Sequence, residues 1–352
     1  MGDIADDLAA TVSAAAASGR KLSIIAGGSK SFVGRSVVGE RLDVSGHSGI
    51  LDYLPAELVL TARAGTRLSD ITQCLEERKQ MLPFEPPDFD GKATIGGTLA
   101  CDISGPARPW RGSIRDATLG VTLINGKGQR LRFGGQVLKN VAGYDVSRLQ
   151  GGALGTLGVM TEITLRVLPK PAASATVCCE LDSDAAIKRM NEFSRMPLPM
   201  SGAAWLGGNL YLRLEGAERA VSTALAKVQP EFRPGDESIW LRIREQSLTF
   251  FAGNASLWRF SVASNAGHRL ADQSWLFDWG GAQRWLRGEF DARYLESLAS
   301  DMGGQVSRYR HGDRSGEVFH TQSPAMRNLH VRLKKSFDPH GILNAGRLYQ
   351  GV

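Results

Sequence analysis

Cysteine is scarce in this chain and poorly spaced for chemistry. Cys74, Cys101, Cys178 and Cys179 are the four in 352 residues, and none stands in a C-x-x-C arrangement. That argues against a disulfide framework and against a zinc or iron–sulfur site within the chain, so no metal is expected. Cys178 and Cys179 are neighbours on an expected strand and face opposite ways, which does not suit one metal. No apolar run approaches the ~20 residues needed to span a bilayer. The N-terminus carries Asp3, Asp6 and Asp7 where a secretion signal needs basic residues, so the expected location is cytoplasmic. The net charge of +6 is modest and dispersed. No helix-turn-helix, zinc-finger or RNA-binding signature accompanies its densest basic points, and nucleic acid is not an expected partner. No G-x-G-x-x-G follows an early strand, which disfavours a Rossmann dinucleotide site. Neither a low-complexity tract nor an internal repeat is visible.

Glycine, by contrast, is abundant at 41 residues, and it collects between apolar runs. The stretch from Thr94 to Thr161 is the most informative. It opens Thr94-Ile95-Gly96-Gly97-Thr98 and closes Gly151-Gly152-Ala153-Leu154-Gly155-Thr156-Leu157-Gly158-Val159. Glycine at this density in a strand-rich segment lets backbone run close to a large ligand with its amides aimed at it.

The length fits two domains and a tailpiece. Residues 21–26 read as a buried strand running into Gly27-Gly28-Ser29-Lys30-Ser31. Residues 57–62 repeat the idea before a helical stretch over 68–80, so two strand–turn–helix units are expected. Asn125-Gly126 between apolar runs signals a hairpin. Met160 to Leu168 reads as a strand, and Pro169-Lys170-Pro171 marks a boundary. Beyond it the order is strand, helix behind an Asp182-Ser183 cap, two strands, helix and further strands, which is the ferredoxin-like order. A last helix over 323–337 stops at Asp338-Pro339. The fold class is therefore α+β. Trp240, Trp258, Trp275, Trp279 and Trp285 crowd the second half, either as interface anchors or as filling for a sheet core.

A glycine-rich turn after a strand points several N–H groups at a phosphate without needing a cation. Gly27 to Ser31 is placed for that, and its joint occurrence with the Gly96-Gly97 and Gly155-Gly158 loops points to FAD. Three stretches then carry a family resemblance. They are Thr94 to Cys101 with Ser104-Gly105-Pro106; Lys139-Asn140-Val141-Ala142-Gly143-Tyr144-Asp145; and Phe337-Asp338-Pro339 with Gly346-Arg347-Leu348-Tyr349. The chain resembles the PCMH-type FAD-binding domain of the vanillyl-alcohol oxidase flavoprotein superfamily. Within it, the match is to the E subunits of bacterial glycolate oxidases (GlcE type). The resemblance implies a PCMH-type FAD-binding domain of two α/β subdomains over residues 1–171. A ferredoxin-like α+β cap over 172–320 and a C-terminal helix and tail over 321–352 would follow.

Carried over by position, the resemblance implies that Gly27, Gly28, Ser29, Lys30 and Ser31 hold the pyrophosphate. Thr94, Ile95, Gly96, Gly97, Thr98, Gly105, Gly112, Ser113, Arg115 and Asp116 would line the cofactor. Gly155, Thr156, Gly158 and Val159 would finish its pocket. Family members with covalent flavin often carry His after the first Gly-Gly; Ser29 stands here, so FAD is expected to be non-covalent. Lys139, Tyr144 and Asp145 are candidate struts or ordinary core residues.

Oxidising a 2-hydroxy acid at a flavin needs a base for the hydroxyl proton and a cation for the carboxylate. The six histidines show no paired arrangement. His311, in Arg310-His311-Gly312-Asp313-Arg314, is the candidate base, and Arg347 the candidate cation. The resemblance implies oxidation of glycolate to glyoxylate, a larger FAD-linked subunit and an iron–sulfur subunit as partners, and at most peripheral membrane association at the inner face. Two rivals stay open: a stand-alone FAD-dependent dehydrogenase of a D-lactate-like 2-hydroxy acid or a sugar lactone, and a non-catalytic structural subunit.

Overall fold

A computed structural model describes residues 3–135 and 145–352. The first half threads α1 (Ala5–Ser18), β1 (Leu22–Ile25), β2 (Glu40–Asp43), β3 (Ile50–Leu54), β4 (Val59–Arg63), α2 (Leu68–Glu76) and β5 (Gln80–Met81). It continues through α3 (Ile95–Cys101), α4 (Arg108–Arg111), α5 (Ile114–Ala117), β6 (Thr118–Ile124), β7 (Arg130–Gly134), α6 (Val146–Leu149), β8 (Val159–Arg166) and β9 (Leu168–Pro169). β1 and β2 pair in parallel, while β3-β4-β8-β6-β7 form an antiparallel five-stranded sheet.

Local chemistry explains most of these elements. Leu68, Ile71 and Leu75 fall on one buried face of α2 at helical spacing. The Asn125 turn closes the β6–β7 hairpin, its Oδ1 accepting from the N–H groups of Lys127 (2.9 Å) and Gln129 (3.0 Å). Two expectations change. The helix expected over 68–80 ends at Glu76, and Gln80 instead pairs with Pro169 in a short β5–β9 ladder. The turn after β1 leads into irregular chain and β2 rather than a helix.

The second half runs β10 (Ala173–Glu180), α7 (Ser183–Phe193), β11 (Met200–Leu206), β12 (Asn209–Gly216), α8 (Glu218–Val228), β13 (Arg233–Pro234) and α9 (Ser238–Arg244). Then come β14 (Leu257–Ser261), β15 (Trp275–Asp278), β16 (Gln283–Arg287), α10 (Ala292–Asp301), β17 (Gln305–Arg310) and α11 (Pro324–Phe337). Asp182 caps α7, accepting from Ala185 N–H at 2.8 Å. The eight strands form one antiparallel sheet in the order β13-β10-β12-β11-β15-β16-β14-β17. This is a repeat that the residues hide. Strands 1 to 4 of β10–β13 lie 4-1-3-2, and those of β14–β17 lie 2-3-1-4, the same order reversed and joined at β11–β15. The second unit has no helix between its first two strands. There, Arg284, fully buried, ties down the connection by donating to the carbonyls of Gly267 (3.2 Å) and Gly281 (2.9 Å).

Three apolar cores result. One fills the five-stranded sheet against α1 and α2 and takes in Ile342 and Leu343 from the C-terminal segment. A second lies between the eight-stranded sheet and α7, α8 and α10. The third, with Val33, Ile103, Leu154, Ile243, Trp285 and Tyr309, joins the two halves. The five tryptophans from Trp240 to Trp285 are buried, at 5% exposure or less, so they fill the core. No helix among the described residues is long and apolar enough to cross a membrane.

Candidate functional site

A cleft opens where the first sheet meets the third core. Its first chamber, a cavity of about 110 Å³, is walled by the end of β1 and the turn Ala26 to Ser31, by Thr94, Gly96 and Gly97, and by Gly155 and Gly158. Backbone geometry requires the glycines. A Cβ on Gly27 would lie 1.6 Å from the Lys92 carbonyl oxygen, and Gly28 has φ +70°. Gly96 packs on Ala64, its N–H donating to the Ala64 carbonyl at 2.8 Å, and a Cβ there would also lie 2.8 Å from that oxygen. Thr94 starts α3, its Oγ1 accepting from Gly97 N–H at 3.2 Å. The Gly-Gly segment expected to be loop is thus the first turn of a helix.

The C-terminal segment closes this chamber. Asn344, at φ +42°, accepts from Ile24 N–H (2.8 Å) through Oδ1 and donates to the Leu154 carbonyl (2.7 Å) through Nδ2. It clips β1 to the 153–158 loop and leaves no room for a side chain at Gly155. Behind it, Lys334 donates to the carbonyls of Thr156 (2.8 Å) and Leu343 (2.6 Å) and pairs with buried Asp338 at 2.7 Å. The Asp338 carboxylate in turn accepts from Ile342 and Leu343 N–H. Asn344 and Asp338 were not singled out for the site by sequence reasoning. The signal available was that Asp338 belongs to the tail motif and Asn344 falls between its two parts.

Two cations face the chamber with no side-chain hydrogen bond among the described residues. The Lys30 ammonium is buried with no hydrogen bond among the described residues, 5.4 Å from the Phe89 ring. Burial lowers it to about 8, against the smaller opposing pull of Cys101, Asp88 and Glu245. Arg347 lines the same wall with its Nε buried and unpaired. Cys101 lies between them; burial pushes its thiol up, and Arg347 and Lys30 only partly reverse this, so it stays protonated at neutral pH.

Several expected residues lie elsewhere. Ile95, Thr98, Thr156 and Val159 are buried at 1% exposure or less and line none of the chambers, because their side chains face the core. Ser113 and Asp116 form a capping box on α5, with Gly112 at φ +85° beneath it, and Arg115 packs against Gly151. Gly112, Ser113 and Asp116 thus shape the start of α5, and Arg115 acts on Asp102 of the neighbouring chamber. Gly105 belongs to a smaller chamber beside Asp278 and Arg259, its carbonyl accepting from Trp279 Nε1 at 3.0 Å. His311 does not line the cleft either. At φ +64° it turns the chain out of β17, and it is Arg310 that lines the cleft, its guanidinium 4.1 Å from the Phe32 ring. Burial and the neighbouring Arg310, Arg287 and Arg314 hold His311 below the usual imidazole value. Asp145 caps α6 through Arg148 N–H (3.1 Å), while Lys139 and Tyr144 lie outside the described residues.

The chamber suits FAD on its own terms. Backbone without side chains lines one wall, and two cations with no hydrogen-bonded counter-ion among the described residues, buried Lys30 and half-buried Arg347, match a dianionic pyrophosphate. A family model described as an FAD binding domain matches residues 3–134. The chain is 44% identical to glycolate oxidase subunit GlcE of Escherichia coli (strain K12), over 91% of this chain and 90% of that one. Glycolate oxidase subunit GlcD of Bacillus subtilis (strain 168) is 31% identical over 41% of this chain and 30% of its own. In fold the chain is similar to 4-ethylphenol oxidase from Gulosibacter chungangensis, with a TM-score of 0.73, 14% identity and coverage of 98% and 88%. An α+β frame, a glycine-walled chamber faced by Lys30 and Arg347 and this likeness along the chain agree: the protein belongs to the family of glycolate oxidase subunit GlcE, and its cofactor is FAD.

Proposed function

We propose that this chain is the FAD-binding subunit of a glycolate oxidase complex that converts glycolate to glyoxylate and passes electrons to partner subunits. The observation that carries the reading is the 44% identity to the Escherichia coli subunit along nearly the whole chain. Its partners would be a larger FAD-linked subunit and an iron–sulfur subunit, assembled in the cytoplasm with at most peripheral membrane contact. Residues 1–171 would hold the cofactor, residues 172–320 face the substrate, and 321–352 close the site.

When bound, FAD supplies the two-electron acceptor for alcohol oxidation. The protein's part is positioning. The Gly27 to Ser31 turn brings backbone to the phosphates, Lys30 and Arg347 balance their charge, and Asn344 holds the walls together. With Ser29 after the Gly-Gly pair, attachment would be non-covalent. No base role is assigned to His311, which lines neither chamber of the cleft.

The test is to purify the chain alone and record its visible spectrum before and after anaerobic glycolate and D-lactate. A flavin spectrum, with the flavin released on acid precipitation and bleached by glycolate once the partners are added, is the expected result. Bleaching by the isolated chain would make it a self-sufficient dehydrogenase. A protein that stays colourless after incubation with FAD would leave only a structural role.

A further inference from the structure

Beyond Cys101 and Leu154, which belong to both chambers, the wall of the cleft changes from glycine to guanidinium. Arg108 from α4, Arg259 from β14 and Arg308 from β17 line this second chamber together with Tyr309 and Asp102. Arg259 is held from three sides. Its Nε donates to Gln283 Oε1 at 2.7 Å, and its guanidinium lies 5.1 Å from the Trp279 ring and 6.0 Å from the Trp285 ring. Its two terminal nitrogens have no hydrogen-bond partner among the described residues. Arg108 lies over the same Trp279 ring at 4.5 Å. Arg308 gives one nitrogen to the Asp313 carbonyl at 2.7 Å, while its Nε is buried and unpaired.

Asp102 is the one carboxylate on this wall among the described residues, and Asp278 approaches Arg259 from the adjoining chamber; burial raises both above the usual range, which weakens their charge. Burial, with Arg108 beside it, also holds Arg259 below the ordinary guanidinium value. Three like charges gathered in a low-dielectric pocket repel one another unless an anion joins them. Planar guanidinium forks with open nitrogens match a carboxylate in particular. The Tyr309 hydroxyl, which accepts from Gln246 Nε2 at 3.0 Å, is thereby turned so that its own proton is available to a second oxygen.

We infer that this chain holds its own site for a small carboxylate in the second chamber, with Arg259 as the fixed guanidinium that receives it. The inference rests on the reading of the chain as part of a 2-hydroxy acid oxidase, and adds which subunit binds the acid and through which residues. Arg259 is a binding residue, and Arg108 and Arg308 concentrate the anion around it.

The experiment titrates the FAD-loaded full chain with oxalate, a carboxylate with no oxidisable hydroxyl, by calorimetry and flavin difference absorbance. Oxalate binds the wild type and perturbs the flavin spectrum. Arg259→Met weakens binding roughly 10- to 100-fold with FAD affinity unchanged, and Arg259→Lys restores part of it. Exposed Arg269→Met serves as the control and has no effect. Arg108→Gln, on a different element, guards against a folding defect at Arg259 and weakens binding severalfold. Unchanged oxalate affinity in both the Arg259→Met and Arg108→Gln variants overturns the site. Inorganic phosphate binding as tightly as oxalate overturns the carboxylate assignment. Arg259-dependent oxalate binding in a chain that takes up no FAD would sink the oxidase reading and leave this site standing.

Discussion

Lys30 keeps a cation in a place where the apo protein gains nothing from it. The ammonium has lost its water, has no partner, and is held at about 8 in place of 10.5. Between those two values the unfolded chain binds a proton that the folded chain has released, so this group makes stability rise with pH from about 8 to about 10.5. Below pH 8 it destabilises the FAD-free protein by something of order 3 kcal/mol. Lys30→Met is therefore expected to raise the melting temperature of the apo protein at pH 7 while weakening FAD at least tenfold, as measured by thermal unfolding and flavin titration. A mutant that is both less stable and unaltered in FAD affinity would show Lys30 to be a structural residue. Asp278 titrates the other way. Burial, with Glu85 adding to it, pushes its carboxyl up to about 7, against the opposing hydrogen bond from Trp279 N–H. The folded chain then holds a proton that the unfolded chain has lost, and stability falls as pH rises from about 4 to about 7. Asp278→Asn should flatten the melting temperature across that window and stabilise the protein at pH 8. At this scale the Gly27 to Ser31 turn was readable, because strand, glycine pair and hydroxyls are neighbours in the chain. Asn344, Arg310 and Arg259 were not, because nothing local distinguishes them from other asparagines and arginines.

Two elements hold the cleft in shape by buried charge. On β12, Arg213 meets Glu85 at 2.8 Å and Glu215 at 3.2 Å, and Arg111 of α4 meets Glu215 at 2.7 Å, so a loop of the first half is pinned to the sheet of the second. Breaking such a network strands its remaining charges. Arg213→Met is expected to lose about 3–5 kcal/mol in urea unfolding. The second device is the end of α11, where Lys334 and Asp338 secure the segment carrying Asn344. Asp338→Asn should cost about 3 kcal/mol and speed FAD release, since the clip between β1 and the 153–158 loop depends on it. A folded variant with native FAD release would remove the segment from the account of the site. Most helices and strands of the second half matched their periodicity. β2, β3 and β16 carry arginines and aspartates within short runs, so alternation alone did not mark them. α3 was masked as a helix by its own Gly96-Gly97, residues of low helical propensity tolerated because Thr94 caps them and Ala64 lies against them.

As a whole, the molecule places its site on a seam. The five-stranded sheet supplies the glycine wall, β14 and β17 supply the arginines, and the third core fills the space between them. FAD should consequently stabilise both halves together. A single unfolding transition is expected, raised by roughly 4 °C at an FAD concentration a hundredfold above its Kd, with the shift lost on removing residues 339–352. Two transitions, of which FAD moves one, would contradict that coupling. Apolar periodicity, turn residues and caps act within a few positions of one another, and so the sequence by itself determined the α+β class, the ferredoxin-like order, the glycine cradle and its ligand. What joins distant positions was decided by the tertiary structure alone. The doubling of the eight-stranded sheet, the return of the C-terminus to β1, the placing of Arg310 on the cleft wall and the gathering of three arginines all follow from packing across hundreds of residues, where no local preference carries information.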